Sequence, residues 1–362
     1  MLYHLLYPLK EIFFGFNLFK YITFRAAYAT LTSLIISFII GKKIIRWLRD
    51  KKFGETIRED TPTRHRQKEG TPSMGGIIIL ISAFISILLW ARLDNIYIYL
   101  FLFVTFAFGT LGFIDDYIKI KKINKKGLQI RVKFLGEVII SFVILLVFYY
   151  LIKGSDVKTK LFVPFLHFPI MDMGIFYIFF GTIILLASSN AVNLTDGLDG
   201  LAIGCSLLTI SAFTALAYLS GHIKIAQYLK IPYIQGSGEL SIFGAAFIGA
   251  SLGFLWYNAH PAEIFMGDTG ALSLGALIGI FSIVLKKEIL LLILGGIFVI
   301  EALSVIIQVI SFKLTGKRVF KMAPLHHHYE LLGLAESKII IRFWIVGLIF
   351  TLVGLSIGLK IR

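Results

Sequence analysis

The sequence is dominated by apolar segments of roughly 20 residues, which recur at short intervals along all 362 residues. That is the length a helix needs to cross a membrane. Only 16% of the residues are charged, whereas soluble domains carry about 25%. The candidate segments are 23–41, 74–91, 96–114, 134–152, 173–192, 201–220, 240–257, 269–285, 289–312 and 339–359. The pattern predicts an all-α polytopic membrane protein with about ten transmembrane helices, forming a single domain over residues 1–362.

Two shorter regions are expected to lie outside these helices. Residues 1–20 mix aromatic and aliphatic side chains with Lys10, Glu11 and Lys20. This composition predicts an N-terminal interfacial helix that lies on the membrane surface. Residues 153–172 carry Pro164 and Pro169 among Phe and Val residues, which predicts a small hairpin between the fourth and fifth spans.

Lysine and arginine residues are divided unevenly between the two sets of loops. Loops one, three and nine together hold more than twice as many as all the even-numbered loops. Because basic residues mark cytoplasmic loops, we expect the odd-numbered loops to face the cytoplasm of a bacterium. Both termini and the hairpin would then be periplasmic, in a multi-pass protein of the inner membrane. The net charge of +15 fits this orientation and anionic substrates, and no basic soluble domain suggests nucleic acid.

The third span ends in two adjacent carboxylates, Asp115 and Asp116, with Lys119 close behind. The dipole at a helix C-terminus disfavours negative charge, so a cation is expected to compensate the pair. Carboxylate oxygens favour Mg²⁺ or Mn²⁺ over zinc. The alternative is a solvated helix end whose carboxylates pair with nearby lysines.

A second acidic element, Asp268, lies just before the eighth span and closes the loop that begins at Asn258. It is a candidate metal ligand, with the backbone amides of the helix start facing phosphate oxygens. The alternative is that Asp268 merely caps the helix. Phe265 is a candidate for base stacking, although packing at the membrane interface explains it equally well.

The segment Asn190–Gly200 (NAVNLTDGLDG) joins the fifth and sixth spans and contains Asp196 and Asp199, each followed by glycine. Helical spacing would place the two carboxylates on one face, and a cap or Asx-turn is the alternative. The density of amide and carboxylate groups favours a polar ligand such as a sugar or uracil.

Three consecutive histidines, His326, His327 and His328, lie in loop nine. They cannot all face one metal ion from a helix, so phosphate contact or proton transfer is favoured over a zinc site. A polar loop resting on anionic lipid headgroups is the alternative.

Two further groups of residues are candidates for the same region. Lys68 and Ser73, in the segment that opens the second span, are placed to contact phosphate, whereas helix packing alone would explain Gly75 and Gly76. Within the spans, three polar residues are costly in lipid and are expected to face the bundle interior: Glu137, Glu301 and Gln308. Gln308 is expected to form a wall of the site.

Together these residues resemble the polyprenyl-phosphate N-acetylhexosamine-1-phosphate transferases from about residue 20 to the end. The Asp115–Asp116 pair, Asn190–Gly200 and Met266–Gly270 carry the wider resemblance. Gly70–Gly76 (GTPSMGG) and Ala323–Glu330 (APLHHHYE) are similar to the phospho-N-acetylmuramoyl-pentapeptide transferases within that group. This resemblance implies that UDP-N-acetylmuramoyl-pentapeptide and undecaprenyl phosphate react, with Mg²⁺, to give lipid I and UMP in the first membrane step of peptidoglycan synthesis. It also implies ten spans, a cytoplasmic cleft and a homodimer.

The resemblance further implies roles for individual residues. Catalytic roles fall to Asp115, Asp116, Asp268 and His326, with Asp268 as the direct Mg²⁺ ligand. Active-site and nucleoside-site positions are Lys68, Ser73, Lys119, Lys125, Lys133, Asn190, Asp196, Asp199, Asn258, Phe265, Gln308 and His327. The chain departs mildly from the family pattern at Ser73, where threonine is usual, and at His260, where proline is common.

Two mechanisms and two other functions remain open on the sequence alone. The lipid phosphate attacks the sugar-linked phosphorus directly, or an aspartate acts first as nucleophile in a double displacement. A sister transferase that moves N-acetylglucosamine-1-phosphate shares nearly all the acidic residues. A secondary transporter is disfavoured, because transporters place their binding groups near mid-membrane and here the polar clusters gather at one surface.

Overall fold

The computed structural model describes residues 1–51, 70–121, 127–152, 157–166 and 168–359. Within these ranges the chain is almost entirely helical. The α-helices are α1 (Leu2–Leu6), α2 (Ile22–Asp50), α3 (Gly76–Trp90), α4 (Ile96–Ile120), α5 (Ile130–Leu151), α6 (Phe176–Thr195), α7 (Leu201–Ser220), α8 (Ile223–Leu229), α9 (Leu240–Asn258), α10 (Gly267–Val284), α11 (Leu291–Leu294), α12 (Gly296–Thr315), α13 (Leu325–Leu331) and α14 (Glu336–Leu359). The predicted all-α polytopic fold class is confirmed.

Nine of the described helices are long and apolar enough to cross a membrane, namely α2, α4, α5, α6, α7, α9, α10, α12 and α14. The remaining predicted span is α3, which has 15 residues and is therefore only about 22 Å long. It begins at Gly76 rather than at residue 74, because Met74 has a positive φ of 74°, which a right-handed helix excludes. All ten predicted segments are helical, and nine reach spanning length.

Helix α10 lies at the centre of the bundle, where all its side chains from Thr269 to Val284 are buried. Small residues let its neighbours approach closely. A Cβ added at Gly275 would lie 2.5 Å from the carbonyl oxygen of Ser188 in α6. Helices α2 and α9 meet in the same way, because a Cβ at Gly249 would lie 2.1 Å from the Thr30 carbonyl oxygen. The position of α10 is thus fixed by backbone contacts as well as by side chains.

The two regions outside the spans are also seen. The N-terminal segment is not one helix, as predicted, but α1 followed by two 3₁₀ helices, Tyr7–Glu11 and Phe14–Lys20. Its apolar side chains Ile12 and Phe14 are 80% and 85% exposed, as expected for a segment in contact with lipid. The predicted hairpin is confirmed: β1 (Lys160–Leu161) pairs antiparallel with β2 (Met171–Asp172).

Candidate active site

Three carboxylates meet where α4 ends and α10 begins. Asp115 and Asp116 lie in the last turns of α4, and Asp268 lies in the first turn of α10. One oxygen of each lies within 4.8 Å of the other two. Asp115 and Asp116 are only 2% and 3% exposed, so this helix end is not solvated, although Asp115 does pair with Lys119 as that alternative expected.

Glycines allow the three helices around this cluster to touch through their backbones. A Cβ at Gly112 of α4 would lie 2.3 Å from the carbonyl oxygen of Asp268, and one at Gly76 of α3 would lie 2.1 Å from the amide nitrogen of Gly270. Neither contact leaves room for a side chain. The start of α10 is therefore held between α3 and α4.

Two lysines neutralise much of the negative charge. The Nζ atom of Lys119 lies 2.6 Å from Asp115 Oδ2, 2.9 Å from Asp268 Oδ2 and 4.0 Å from Asp116 Oδ1. The Nζ atom of Lys133, on α5, lies 2.6 Å from Asp268 Oδ2 and 3.6 Å from Asp115 Oδ2. The Lys119 ammonium thus sits among all three carboxylates, in the position from which one cation can contact them all.

The three aspartates differ in what they bind. Asp116 accepts hydrogen bonds from the backbone N–H groups of Asp268 and Thr269, at 3.1 and 3.0 Å, and from the Thr269 hydroxyl at 2.7 Å. Asp116 therefore caps α10 from a neighbouring helix. The alternative role of Asp268 as that cap is wrong, because its carboxylate forms no cap bond and faces the lysines.

The segment that opens α3 is hydrogen-bonded to the loop that leads into α10. Phe265 donates its N–H to the Pro72 carbonyl, and Gly75 donates to the Phe265 carbonyl, both at 2.8 Å. Ser73 is 7% exposed, and a Cβ at Gly267 would lie 3.1 Å from its Oγ and 2.6 Å from Asp116 Oδ2. Ser73 thus borders the carboxylate cluster. Lys68, another predicted phosphate contact, and Lys125, another predicted site residue, lie outside the described residues.

The segment Asn190–Gly200 bends between α6 and α7. Asn190 donates through Nδ2 to Glu137 Oε2 at 2.5 Å, and Glu137 is buried, as predicted. Asp196 is the C-cap residue of α6. Asp199 follows in a turn, so the helical spacing considered for the two carboxylates does not apply.

Asp199 is part of a second cluster that sequence reasoning did not assemble. Its Oδ2 lies 3.1 Å from His260 Nδ1 and accepts the N–H of Ala262 at 3.1 Å. Glu336, in the first turn of α14, accepts the N–H of Asp199 at 3.0 Å and lies 3.7 Å from His260 Nδ1. The signal for His260 was its departure from the family pattern, whereas nothing near Glu336 in the sequence pointed to this cluster.

Asn258 connects the loops on either side of this cluster. Its Oδ1 accepts the N–H of Gly200 at 3.0 Å, and its Nδ2 donates to the Ile264 carbonyl at 2.8 Å. Both ends of the amide are therefore used within the protein. This geometry supports a structural role for Asn258, which holds the loop that carries the half-buried Phe265.

The histidine segment forms α13 beside the Asn190–Gly200 turn. His326 is fully buried, and a Cβ at Gly197 would lie 2.3 Å from its Nε2. Burial lowers the pKa of His326, which favours a neutral ring at pH 7. Its Nδ1 lies 3.3 Å from Glu301 Oε2, but the geometry is not that of a hydrogen bond. Glu301 instead caps α13 by accepting the N–H groups of Leu325 and His326.

The last two predicted site residues, His327 and Gln308, form their side-chain contacts with residues of loop nine. His327 Nδ1 lies 2.7 Å from Glu330 Oε2. Gln308 accepts the N–H groups of Val319 and Phe320 at 3.0 and 2.9 Å and donates to the Phe320 carbonyl at 2.9 Å. The Gln308 amide thus holds the loop after α12 in place. Its role as a wall of the site stays a prediction.

The fold and the site define a polytopic membrane protein that carries a cluster of carboxylates and lysines at one end of its helical bundle. The family model "Glycosyl transferase family 4" matches residues 97–286, and signature 1 of the phospho-N-acetylmuramoyl-pentapeptide-transferases matches residues 68–80.

Relatives are similar over the whole chain. Phospho-N-acetylmuramoyl-pentapeptide-transferases from Oleidesulfovibrio alaskensis and Endomicrobium trichonymphae are each 50% identical, with 100% of both chains covered. The one from Borreliella afzelii is 51% identical, with 96% of this chain and 99% of the relative covered. The chain belongs to the phospho-N-acetylmuramoyl-pentapeptide transferase family. It is accordingly a membrane protein and a phospho-sugar transferase.

Proposed function

We propose that this protein transfers phospho-N-acetylmuramoyl-pentapeptide from its UDP-linked donor to undecaprenyl phosphate, giving lipid I and UMP. The observation that carries the proposal is the cluster of Asp115, Asp116 and Asp268 with Lys119 and Lys133. The names of the relatives support the sugar and peptide of the donor. The polyprenyl acceptor follows from the family resemblance.

The donor set of the cluster fits Mg²⁺. Three carboxylates supply only oxygen atoms, which Mg²⁺ prefers, and their oxygens lie within 4.8 Å of one another. Asp268 is the proposed direct ligand, because the oxygens of Asp116 are already bound to the start of α10. Bound there, Mg²⁺ would neutralise charge on the pyrophosphate, and Lys119 would move aside toward the phosphates.

The proposed reaction is a direct displacement. An oxygen of the lipid phosphate forms a bond to the sugar-linked phosphorus, and the bond from that phosphorus to the bridging oxygen breaks, so that UMP leaves. Asp115 is the better-placed acceptor for any proton on the lipid phosphate, since its Oδ2 faces Lys119 and Lys133 whereas Asp116 is committed to capping. The two lysines stabilise charge that develops on the leaving phosphate.

An apolar groove offers a place for the polyprenyl chain. It has a volume of about 240 Å³ and runs between α6, α10 and α12, where Ile184, Ala191, Val192, Ile278, Phe298 and Val299 are among its lining residues. Helix α6 also carries Asn190, so the groove and the polar turn share one helix. Asp199 and Phe265 are the proposed contacts for the uracil ring, by hydrogen bonding and stacking.

The remaining parts of the proposal concern location and assembly. The charge distribution supports an inner-membrane protein whose active site is cytoplasmic and whose termini are periplasmic. A homodimer is proposed from the family resemblance alone, and the mass of the purified protein in detergent, measured by light scattering, tests it.

The experiment that tests the function is UMP release by the purified protein, with undecaprenyl phosphate and one of two donors. UMP release with UDP-N-acetylmuramoyl-pentapeptide and not with UDP-N-acetylglucosamine is expected. The opposite preference would assign the chain to the sister activity. No release with either donor, combined with solute uptake into sealed vesicles, would favour the transporter.

A further inference from the structure

A small pocket lies at the end of the bundle opposite the aspartates. Its lining residues come from the hairpin (Phe162, Val163, Pro164 and Leu166), from the turn just after α10 (Lys286 and Lys287) and from the end of α14 (Ile357 and Gly358). Helix α10 separates it from Asp268, and its 18 residues span about 27 Å. The pocket is therefore distinct from the candidate active site, and a ligand bound there does not depend on the proposed function.

Three lysines line this pocket: Lys230, Lys286 and Lys287. Lys286 is fully partnered. Its Nζ lies 2.5 Å from Glu288 Oε1 and 3.2 Å from the Lys158 carbonyl oxygen, and it sits 3.8 Å from the centroid of the Tyr177 ring. The same Glu288 oxygen also accepts the Tyr177 hydroxyl. The nearest carboxylate is thus already shared by two other groups.

Lys287 is different, because it is buried with little compensation. It is 6% exposed, and its Nζ has one acceptor among the described residues, the Gly358 carbonyl oxygen at 3.4 Å. An ammonium group carries three donors, and a buried charge is costly unless it is paired. Capping the end of α14 uses only one of the three donors. The local charge is therefore positive and incompletely satisfied.

Two residues of this pocket have strained backbone. Four non-glycine residues in the described ranges have positive φ, and two of them line the pocket: Lys230 at 53° and Lys286 at 58°. Left-handed backbone costs a non-glycine residue on the order of 1 kcal/mol and tends to be retained at ligand clamps and switch regions. Both strained residues are lysines that line the pocket.

We propose that this pocket binds a phosphate group, with the Lys287 ammonium as the principal contact and Lys230 as a second. The apolar walls formed by Phe162, Leu290 and Ile357 suit the first carbons of an anionic phospholipid. Free inorganic phosphate presents the same chemistry, and the experiment separates the two sources.

The protonation of Lys287 is consistent with this assignment. Burial lowers its pKa to about 8, against a weak opposing effect of Glu288. A bound phosphate would supply the missing negative charge and raise this pKa again.

The test uses protein purified in neutral detergent without phosphate or lipid. Its melting temperature is measured against phosphatidylglycerol, against phosphatidylcholine, and against inorganic phosphate with chloride at matched ionic strength. Native mass spectrometry counts the bound lipids. Phosphatidylglycerol should bind saturably and raise the melting temperature by about 5 °C, while phosphatidylcholine should not. An effect of inorganic phosphate alone would identify the free ion as the ligand.

Variants assign the effect to the pocket. Lys287→Met should weaken binding at least about tenfold, and the exposed Lys230→Gln should weaken it less. Lys224→Met is the matched control, because it removes one exposed charge from α8 without touching the pocket. The proposal is overturned if no anion binds, if phosphatidylcholine binds equally well, or if Lys287→Met and Lys224→Met behave alike.

Discussion

At the residue scale, the three clustered aspartates have the same chemistry but different surroundings. Asp116 accepts three hydrogen bonds from the start of α10. Asp268 accepts from two lysines. A carboxylate that holds backbone amides contributes to folding, whereas one that faces mobile ammonium groups is available to a metal ion or a phosphate.

This difference predicts that two matched substitutions separate folding from activity. Asp116→Asn places an amide NH₂ where the carboxylate accepted hydrogen bonds, so the melting temperature should fall, by the equivalent of about 1 to 3 kcal/mol. Asp268→Asn should leave the melting temperature nearly unchanged, because Lys119 and Lys133 would still form ion pairs with Asp115. Equal melting temperatures for the two variants would contradict the assigned roles.

Lys287 provides a pH-dependent prediction. Its pKa in the folded protein is about 8, below the ordinary value of 10.5, so the unfolded chain binds more protons between these values and stability rises with pH across that window. Without a bound anion, Lys287→Met should therefore be more stable than the parent at pH 7, by at most about 3 kcal/mol.

Melting temperatures at pH 7, 8.5 and 10 check this prediction. The advantage of the variant should shrink as the pH rises above 8. A difference that stays constant over the three pH values would show that Lys287 does not titrate in this range.

Much of the site could be predicted at this scale, but the partners of its residues could not. The motifs around Asp115, Asp199 and Asp268 pointed to polar sites because such residues are rare beside apolar spans. The hydrogen bond from Thr269 to Asp116 joins positions 153 residues apart, and no local pattern encodes such a pairing. For the same reason the hydrogen bonds by which Asn258 and Gln308 hold loops could not be predicted.

At the element scale, the site depends on how closely α3, α4 and α10 approach. Gly76 and Gly112 permit contacts in which backbone touches backbone. The start of α10, with Asp268, is positioned by these contacts rather than by interdigitating side chains.

Gly76→Ala should therefore displace α10. The new Cβ would lie 2.1 Å from a backbone nitrogen, which has to move, and the cost should be on the order of 1 to 3 kcal/mol together with a loss of activity. Gly136→Ala is the control, because its Cβ would meet only Leu111 methyl groups, at 3.3 and 3.6 Å. Melting curves and UMP release for both variants check this prediction, and similar behaviour of the two would contradict it.

The spans could be predicted because burial in lipid demands long apolar helices. The start of α3 could not, since it is set by a positive φ at Met74, a conformation that is rare for a non-glycine residue. The break between α11 and α12 at Gly295 was not predicted either. The sequence is apolar on both sides of it, so the two helices were predicted as one span.

At the scale of the whole molecule, the charged and polar groups divide between two ends of the bundle. One end carries the aspartates and the histidine segment, and the other carries the hairpin and the phosphate pocket. On the positive-inside rule, the proposed orientation has the aspartate end facing the cytoplasm.

Cysteine labelling tests this orientation. Cys205 is 2% exposed, so it contributes little background. Tyr228, which is 85% exposed, marks the hairpin end, and the exposed Lys317 marks the other. A membrane-impermeant maleimide should label Tyr228→Cys in intact spheroplasts and Lys317→Cys only after lysis. The reverse pattern would invert the assigned topology.

The central claim is that the carboxylate cluster binds Mg²⁺ and promotes transfer of the phospho-sugar. The most direct measurement is UMP release from UDP-N-acetylmuramoyl-pentapeptide and undecaprenyl phosphate as Mg²⁺ is titrated, in the parent protein, in Asp268→Asn and in Asp94→Asn. Asp94 is the control because it pairs with Arg92 at the hairpin end. Release should require Mg²⁺, fall at least about 100-fold in Asp268→Asn and persist in Asp94→Asn. Metal-independent release, or near-normal turnover by Asp268→Asn, would contradict the claim.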